Sequence, residues 1–219
     1  MPQSWAAERE PDAPSEPGRP GRPRRYETAE EQTLLLDAAF EVIRAKGYGA
    51  ATVADILGEA GLSTRSFYRH YASKDDLLHA LFRRDAERFA EVVRARVQAE
   101  TDPVRALDVW IDEILGFGFE RTRTKRAAVI GSATAEGTLP PEELRRALQL
   151  LVEPLATVLA TGRADGSFPA ADPERDAALV STVVWETSGR MREASSRAAK
   201  AELREGVVSF VHRALGTRR

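Results

Sequence analysis

The chain has 219 residues, 42% of them hydrophobic and 30% charged, an ordinary soluble composition with room for one or two packed domains. It contains no cysteine, which excludes disulfide frameworks, thiolate zinc sites and cysteine nucleophiles. The formal charge of −2 offers no global attraction to a polyanion, so any nucleic-acid contact has to come from local clusters of basic residues.

Residues 1–25 carry Pro11, Pro14, Pro17, Pro20 and Pro23 with Gly18 and Gly21, and little apolar surface, so they read as a disordered basic arm. Order is predicted from near Glu30, where Leu35, Ala38, Ala39, Val42 and Ile43 recur at helical spacing until Lys46 and Gly47 close the helix. Thr52 with Asp55 three residues on has the form of a capping box for a short second helix. Val53, Ile56, Leu57 and Ala60 form its stripe, and Gly61 ends it. Ser63 caps an equally short third helix with Phe67 and Tyr71 on one face. Ser73 caps a fourth, with Asp75 and Asp76 at its positive end and Leu77, Leu78, Leu81 and Phe82 inward, running to about Gln98.

Near Pro103 the chain hands over to a second domain in which every stretch is again helical. Leu107, Trp110, Ile111, Ile114 and Leu115 make one stripe, followed by a basic loop from Arg121 to Arg126 and a shorter segment ending at Gly137. Leu144, Leu148, Leu151, Leu155 and Leu159 line a helix that starts after Pro140, and Asp165-Gly166 turns the chain into two last helices near 174–194 and 198–215. No strand-length alternation is present. The expected fold is all-α, with an arm over 1–25, a first domain over 26–82 and a larger one over 83–219. No opening stretch has signal-peptide form, and no run approaches the roughly 20 apolar residues that cross a bilayer, which points to the cytoplasm and away from a membrane.

The chemistry concentrates between Thr52 and Tyr71, TVADILGEAGLSTRSFYRHY. Two short helices meet at Ala60-Gly61-Leu62-Ser63, with Ile56, Ala60, Leu62 and Phe67 in the seam. Thr64, Arg65, Ser66, Tyr68, Arg69 and His70 are then placed on the outer face of the second helix, a set of donors suited to base edges and phosphates in a major groove.

This stretch, within ATVADILGEAGLSTRSFYRHYASKDDLLHALF, resembles the tetracycline-repressor (TetR) family from about Glu31 to Phe82. The resemblance implies an N-terminal three-helix helix-turn-helix DNA-binding domain and a larger C-terminal helical ligand-binding and dimerisation domain. It also implies a repressor released from a palindromic operator by a small-molecule effector. Ser63, the cap of the reading helix, and Arg69 are counted with the DNA-binding residues, and by matching positions Thr52 touches phosphate. Thr64, Arg65 and Ser66 approach bases, Tyr68, His70 and Lys74 hold the backbone, and Phe67 and Tyr71 are core. Arg65 replaces a glycine common in the family and has two uses, a bidentate contact to guanine or a phosphate contact. Leu57 replaces a small alanine, with Gly58 beside it expected to relieve the crowding.

In the arm, Gly18-Arg19-Pro20-Gly21-Arg22-Pro23-Arg24-Arg25 looks like an AT-hook core. Arg19, Arg22, Arg24 and Arg25 either enter a narrow minor groove or form a solvated tail that adds non-specific affinity. On the last two helices, Leu179, Val183 and Val184 and then Leu203, Val207, Phe210 and Val211 are shared between two destinations, a homodimer interface and the chain's own core. Trp110, Phe117, Phe119 and Trp185 are the candidate lining of an effector pocket, against ordinary core. With His70, His79 and His212 the only histidines, and no phosphate-cradling loop or metal-ligand spacing, no enzyme and no cofactor is expected. The rival reading is an architectural DNA binder that uses the arm without sequence choice.

Overall fold

The computed structural model describes residues 27–116, 137 and 139–218. The arm with Arg19, Arg22, Arg24 and Arg25 lies outside the described residues, as do Phe117, Phe119 and the basic loop from Arg121 to Arg126. Among the described residues all regular structure is helical: α1 Thr28–Lys46, α2 Val53–Ala60, α3 Thr64–His70, α4 Lys74–Gln98, α5 Pro103–Gly116, α6 Pro141–Asp165, α7 Pro173–Glu193 and α8 Arg197–Leu215.

The short helices stand where their caps dictate. Thr52 Oγ1 accepts from the Asp55 N–H at 3.1 Å while the Thr52 N–H donates to Asp55 Oδ2 at 3.1 Å, a complete capping box. The Lys46 ammonium and the Thr52 hydroxyl hold the Asp55 carboxyl down to about 2, so the box stays ionised into acid that would protonate an ordinary aspartate. Gly61 then takes the left-handed conformation, φ 64°, that closes α2. Ser63 and Ser73 accept from the N–H groups of Ser66 and Asp76 in the same way.

Two apolar cores form. Leu35, Ala39, Ile43, Ile56, Phe67, Leu77 and Leu81 build the first from α1 to the start of α4. Val93, Leu107, Ile111, Leu155, Leu159, Val184 and Val211 lie in the second. α4 belongs to both: Leu77, Leu78 and Leu81 face the first core, and Ala90, Val93 and Val97 the second. One 25-residue helix, about 37 Å long, thus contributes to both cores, and the expected boundary between residues 82 and 83 falls inside it. Leu139 packs against the first core from the segment before α6, and Arg83 of α4 pairs with Glu143 of α6 at 3.0 Å. The first turns of α6 otherwise stand clear of the core, with Leu144 38% exposed although its spacing continues the buried stripe.

Gly58 does not relieve crowding at Leu57. A Cβ at Gly58 meets nothing within 4 Å, and Leu57 lies half-buried against the first core. Gly58→Ala should therefore stabilise the protein by about 1 kcal/mol through helix propensity alone. Urea denaturation checks this, and a lower midpoint would mean that the α2 backbone needs the glycine.

Candidate nucleic-acid interface

The side chains named between Thr52 and Lys74 do not share one surface. Thr64 and Arg65 at the start of α3 are exposed, and Tyr68, one turn on, is 60% exposed with its ring edge-on to Phe67 at 5.2 Å. At positions i, i+1 and i+4 they form one contiguous polar face. Phe67 and Tyr71 lie inward in the first core.

Ser66, expected on the outer face, is buried. Its N–H is capped by Ser63, and its hydroxyl points to Glu31 at 3.5 Å. His70 is turned inward as well, with Nε2 2.9 Å from Glu31 Oε2 and its side chain 3% exposed. Arg69 Nη1 donates to the same carboxylate oxygen at 2.8 Å. Lys74 is committed to the fold: Nζ donates to the carbonyls of Tyr48 and Ala51, both at 2.9 Å, and lies 4.1 Å over the Tyr48 ring. The Thr52 hydroxyl donates to Asp55 Oδ2 at 2.8 Å within the capping box. Ser63 stays exposed, its oxygen acting as the α3 cap.

The reasons are tertiary. Glu31, only 5% exposed, was not singled out in the sequence, yet it gathers Ser66, Arg69 and His70. The hydrogen bond from His70, followed by the charge of Arg69, holds its carboxyl below the usual range against the opposing effect of burial. A sequence signal existed: Glu31 lies four residues before Leu35, in phase with the buried stripe of α1. Tyr48 is a further residue that the sequence did not single out, and Asp75 does more than charge the start of α4. The buried Tyr48 hydroxyl donates to Asp75 and, with Lys74, fastens the α1–α2 loop to the start of α4.

In the second domain, Trp110 is 1% exposed and donates its indole N–H to the Leu151 carbonyl at 2.9 Å. That bond enters the turn ahead of Pro154, which lacks an N–H for the α6 ladder. Trp110 is thus core, and Trp185 packs half-buried beside the same core. An open groove of about 260 Å³ lies instead between α4, α5 and α6, lined in part by Val97, Thr101, Pro103, Pro154, Thr157 and Thr161. On the last two helices, Leu179, Val183 and Phe210 are 59%, 37% and 48% exposed, whereas Val184, Val207 and Val211 are buried in the chain's own core. Among the described residues no helix is long and apolar enough to cross a membrane.

Two capped short helices in a three-helix head, joined by a shared fourth helix to a second helical domain, define a helix-turn-helix protein of two-domain, all-α build. Residues 35–81 match the family described as bacterial regulatory proteins, tetR family. The chain is 27% identical over 179 residues to the HTH-type transcriptional repressor Rv1474c of Mycobacterium tuberculosis, covering 71% of this chain and 91% of that one. It is 31% identical over 87 residues to the uncharacterized HTH-type transcriptional regulator YvdT of Bacillus subtilis, covering 40% of this chain and 45% of that protein's length. The fold is shared with the crystal structure of the transcriptional regulator FadR from Bacillus subtilis in complex with stearoyl-CoA, at a TM-score of 0.66 and 19% identity over 83% of this chain and 98% of that one. The first domain thus matches the tetR family over residues 35–81, and the described chain shares its fold with a solved transcriptional regulator.

Proposed function

We propose that this protein is a cytoplasmic, sequence-specific DNA-binding transcription regulator. It acts as a homodimer on a palindromic operator, as a repressor released by a small-molecule effector. The observation that carries the reading is the exposed face of Thr64, Arg65 and Tyr68 on a capped helix whose other side is locked into the core. A short helix presenting donors outward from a rigid head suits a major groove. The exposed Leu179, Val183 and Phe210 support a second copy, which would bring two heads to half-sites about 34–36 Å apart or a multiple of that spacing. The name of the mycobacterial relative supports repression, and the acyl-CoA complex of the Bacillus relative supports an effector. The groove between α4, α5 and α6 supports it further, because it touches the far half of the helix whose near half is part of the head. The role is regulation rather than catalysis, in line with those relatives.

In-vitro selection of bound DNA by the full-length protein tests the proposal, followed by a screen for ligands that release the selected site. Equal binding of selected and random duplexes would instead establish the architectural role. Arg65 is the cation on the exposed face, and it should carry base choice. Arg65→Ala is expected to cost about 1–3 kcal/mol on the selected site and to relax preference at one or two base pairs. A loss of the same size on every sequence would place Arg65 on phosphate.

A further inference from the structure

We infer that Glu31 of α1 is a positioning residue for α3, which fixes the helix's rotation and keeps Arg69 and His70 off the DNA, so that the face α3 presents for reading is that of Thr64, Arg65 and Tyr68. This rests on the DNA-binding reading above. One carboxylate oxygen of Glu31 takes both Arg69 Nη1 at 2.8 Å and His70 Nε2 at 2.9 Å, and the other lies 3.5 Å from Ser66 Oγ. Three contacts reach positions 66, 69 and 70, which share one side of α3, whereas 64, 65 and 68 lie on another. Rotation of α3 about its axis would break them together. Glu31 is 5% exposed, so drawing Arg69 or His70 out to a phosphate would take a hydrogen bond from a carboxylate held away from water, and drawing out both would leave it with Ser66 at 3.5 Å. The arrangement also limits non-specific affinity. The Arg69 charge beside the reading face is paired with a buried acid, and the discriminating contacts keep a larger share of the binding.

The first test needs no DNA. Exchange of the Arg69 guanidinium protons with water, followed by NMR, is expected to be slow in the wild-type protein and as fast as in free arginine in Glu31→Gln. Fast exchange in the wild type would overturn the inference. On random duplex, Glu31→Gln should bind more tightly than the wild type, with the salt dependence of log K steeper by about 0.9 for the one released phosphate contact. The double replacement Glu31→Gln/Arg69→Gln should restore the original slope, and selection with Glu31→Gln should return a blurred site. A residue that merely supported the fold would weaken binding on all DNA and leave the slope unchanged, and that result would overturn the inference. Failure of the wild-type protein to prefer any sequence would remove the regulator reading instead, with the exchange measurement still deciding whether Glu31 holds Arg69.

Discussion

Phe168→Ala is expected to destabilise the second domain by about 3–5 kcal/mol, the cost of emptying a fully buried aromatic site. Phe168 sits in the turn between α6 and α7, is 0% exposed and lies against the backbone of α6 at Gly162. Its N–H donates to the Gly162 carbonyl at 2.7 Å, and its ring occupies the space a side chain at 162 would need, since a Cβ there would lie 2.5 Å from Cε2. Bonds from the surrounding turn hold neighbouring segments: Arg163 reaches the Ala171 carbonyl at 2.8 Å, and the Arg218 N–H reaches the Ser167 carbonyl at 2.9 Å. Removing the ring therefore leaves a cavity whose walls are tied and cannot readily close. Gly162→Ala should act in the same direction, by about 1–3 kcal/mol, because the ring has to leave its place. Urea denaturation followed by circular dichroism measures both. A loss below 1 kcal/mol for Phe168→Ala would show that the turn repacks around the missing ring.

Gly58 and Gly162 mark the limit of what the sequence discloses. Both are glycines inside helices, and propensity assigns the same gain to alanine at each. The structure gives them opposite signs, because one faces open space and the other faces Phe168 from a different segment. Features governed by neighbours in the chain were legible: the caps at Thr52, Ser63 and Ser73, the end of α2 at Gly61 and the end of α4 near Gln98. Features governed by distant segments were not. Ser66, His70 and Lys74 have the right chemistry for DNA, and only the placement of Glu31 and of the Tyr48 and Ala51 carbonyls shows that their polar atoms are engaged within the fold. Arg65 and Tyr68 face outward, as helical spacing alone predicts.

The last two helices show the same division, and the second large effect follows from it. Seven apolar positions were shared between interface and core. Burial assigns Val184, Val207 and Val211 to the core and leaves Leu203 half-buried against it, while Leu179, Val183 and Phe210 are outside. Leu179 and Val183 are one turn apart on α7, with exposed Ala178 and Thr182 between their rows. The Thr182 hydroxyl is satisfied by the Ala178 carbonyl at 2.9 Å, so this face presents little unmet polarity to a partner. On α8, Gly206 is exposed one turn before Phe210, and a Cβ there would meet nothing within 4 Å, room for a second helix to come close. A stable homodimer of this kind buries about 1,200–2,000 Å² in total, with aromatic anchors near its centre. Phe210 is the aromatic on this face. Phe210→Asp combined with Leu179→Asp should therefore convert the proposed dimer to a monomer in sedimentation or light scattering. Because both side chains are exposed, the monomer's fold should change by no more than about 0.5 kcal/mol per site. Operator affinity should fall much further, by about 10²–10⁴, since the second head no longer binds at the effective concentration set by the first. Binding to a single half-site should stay near its original level. An intact dimer after both replacements, or an unchanged operator affinity in a monomer, would place the second copy on another surface.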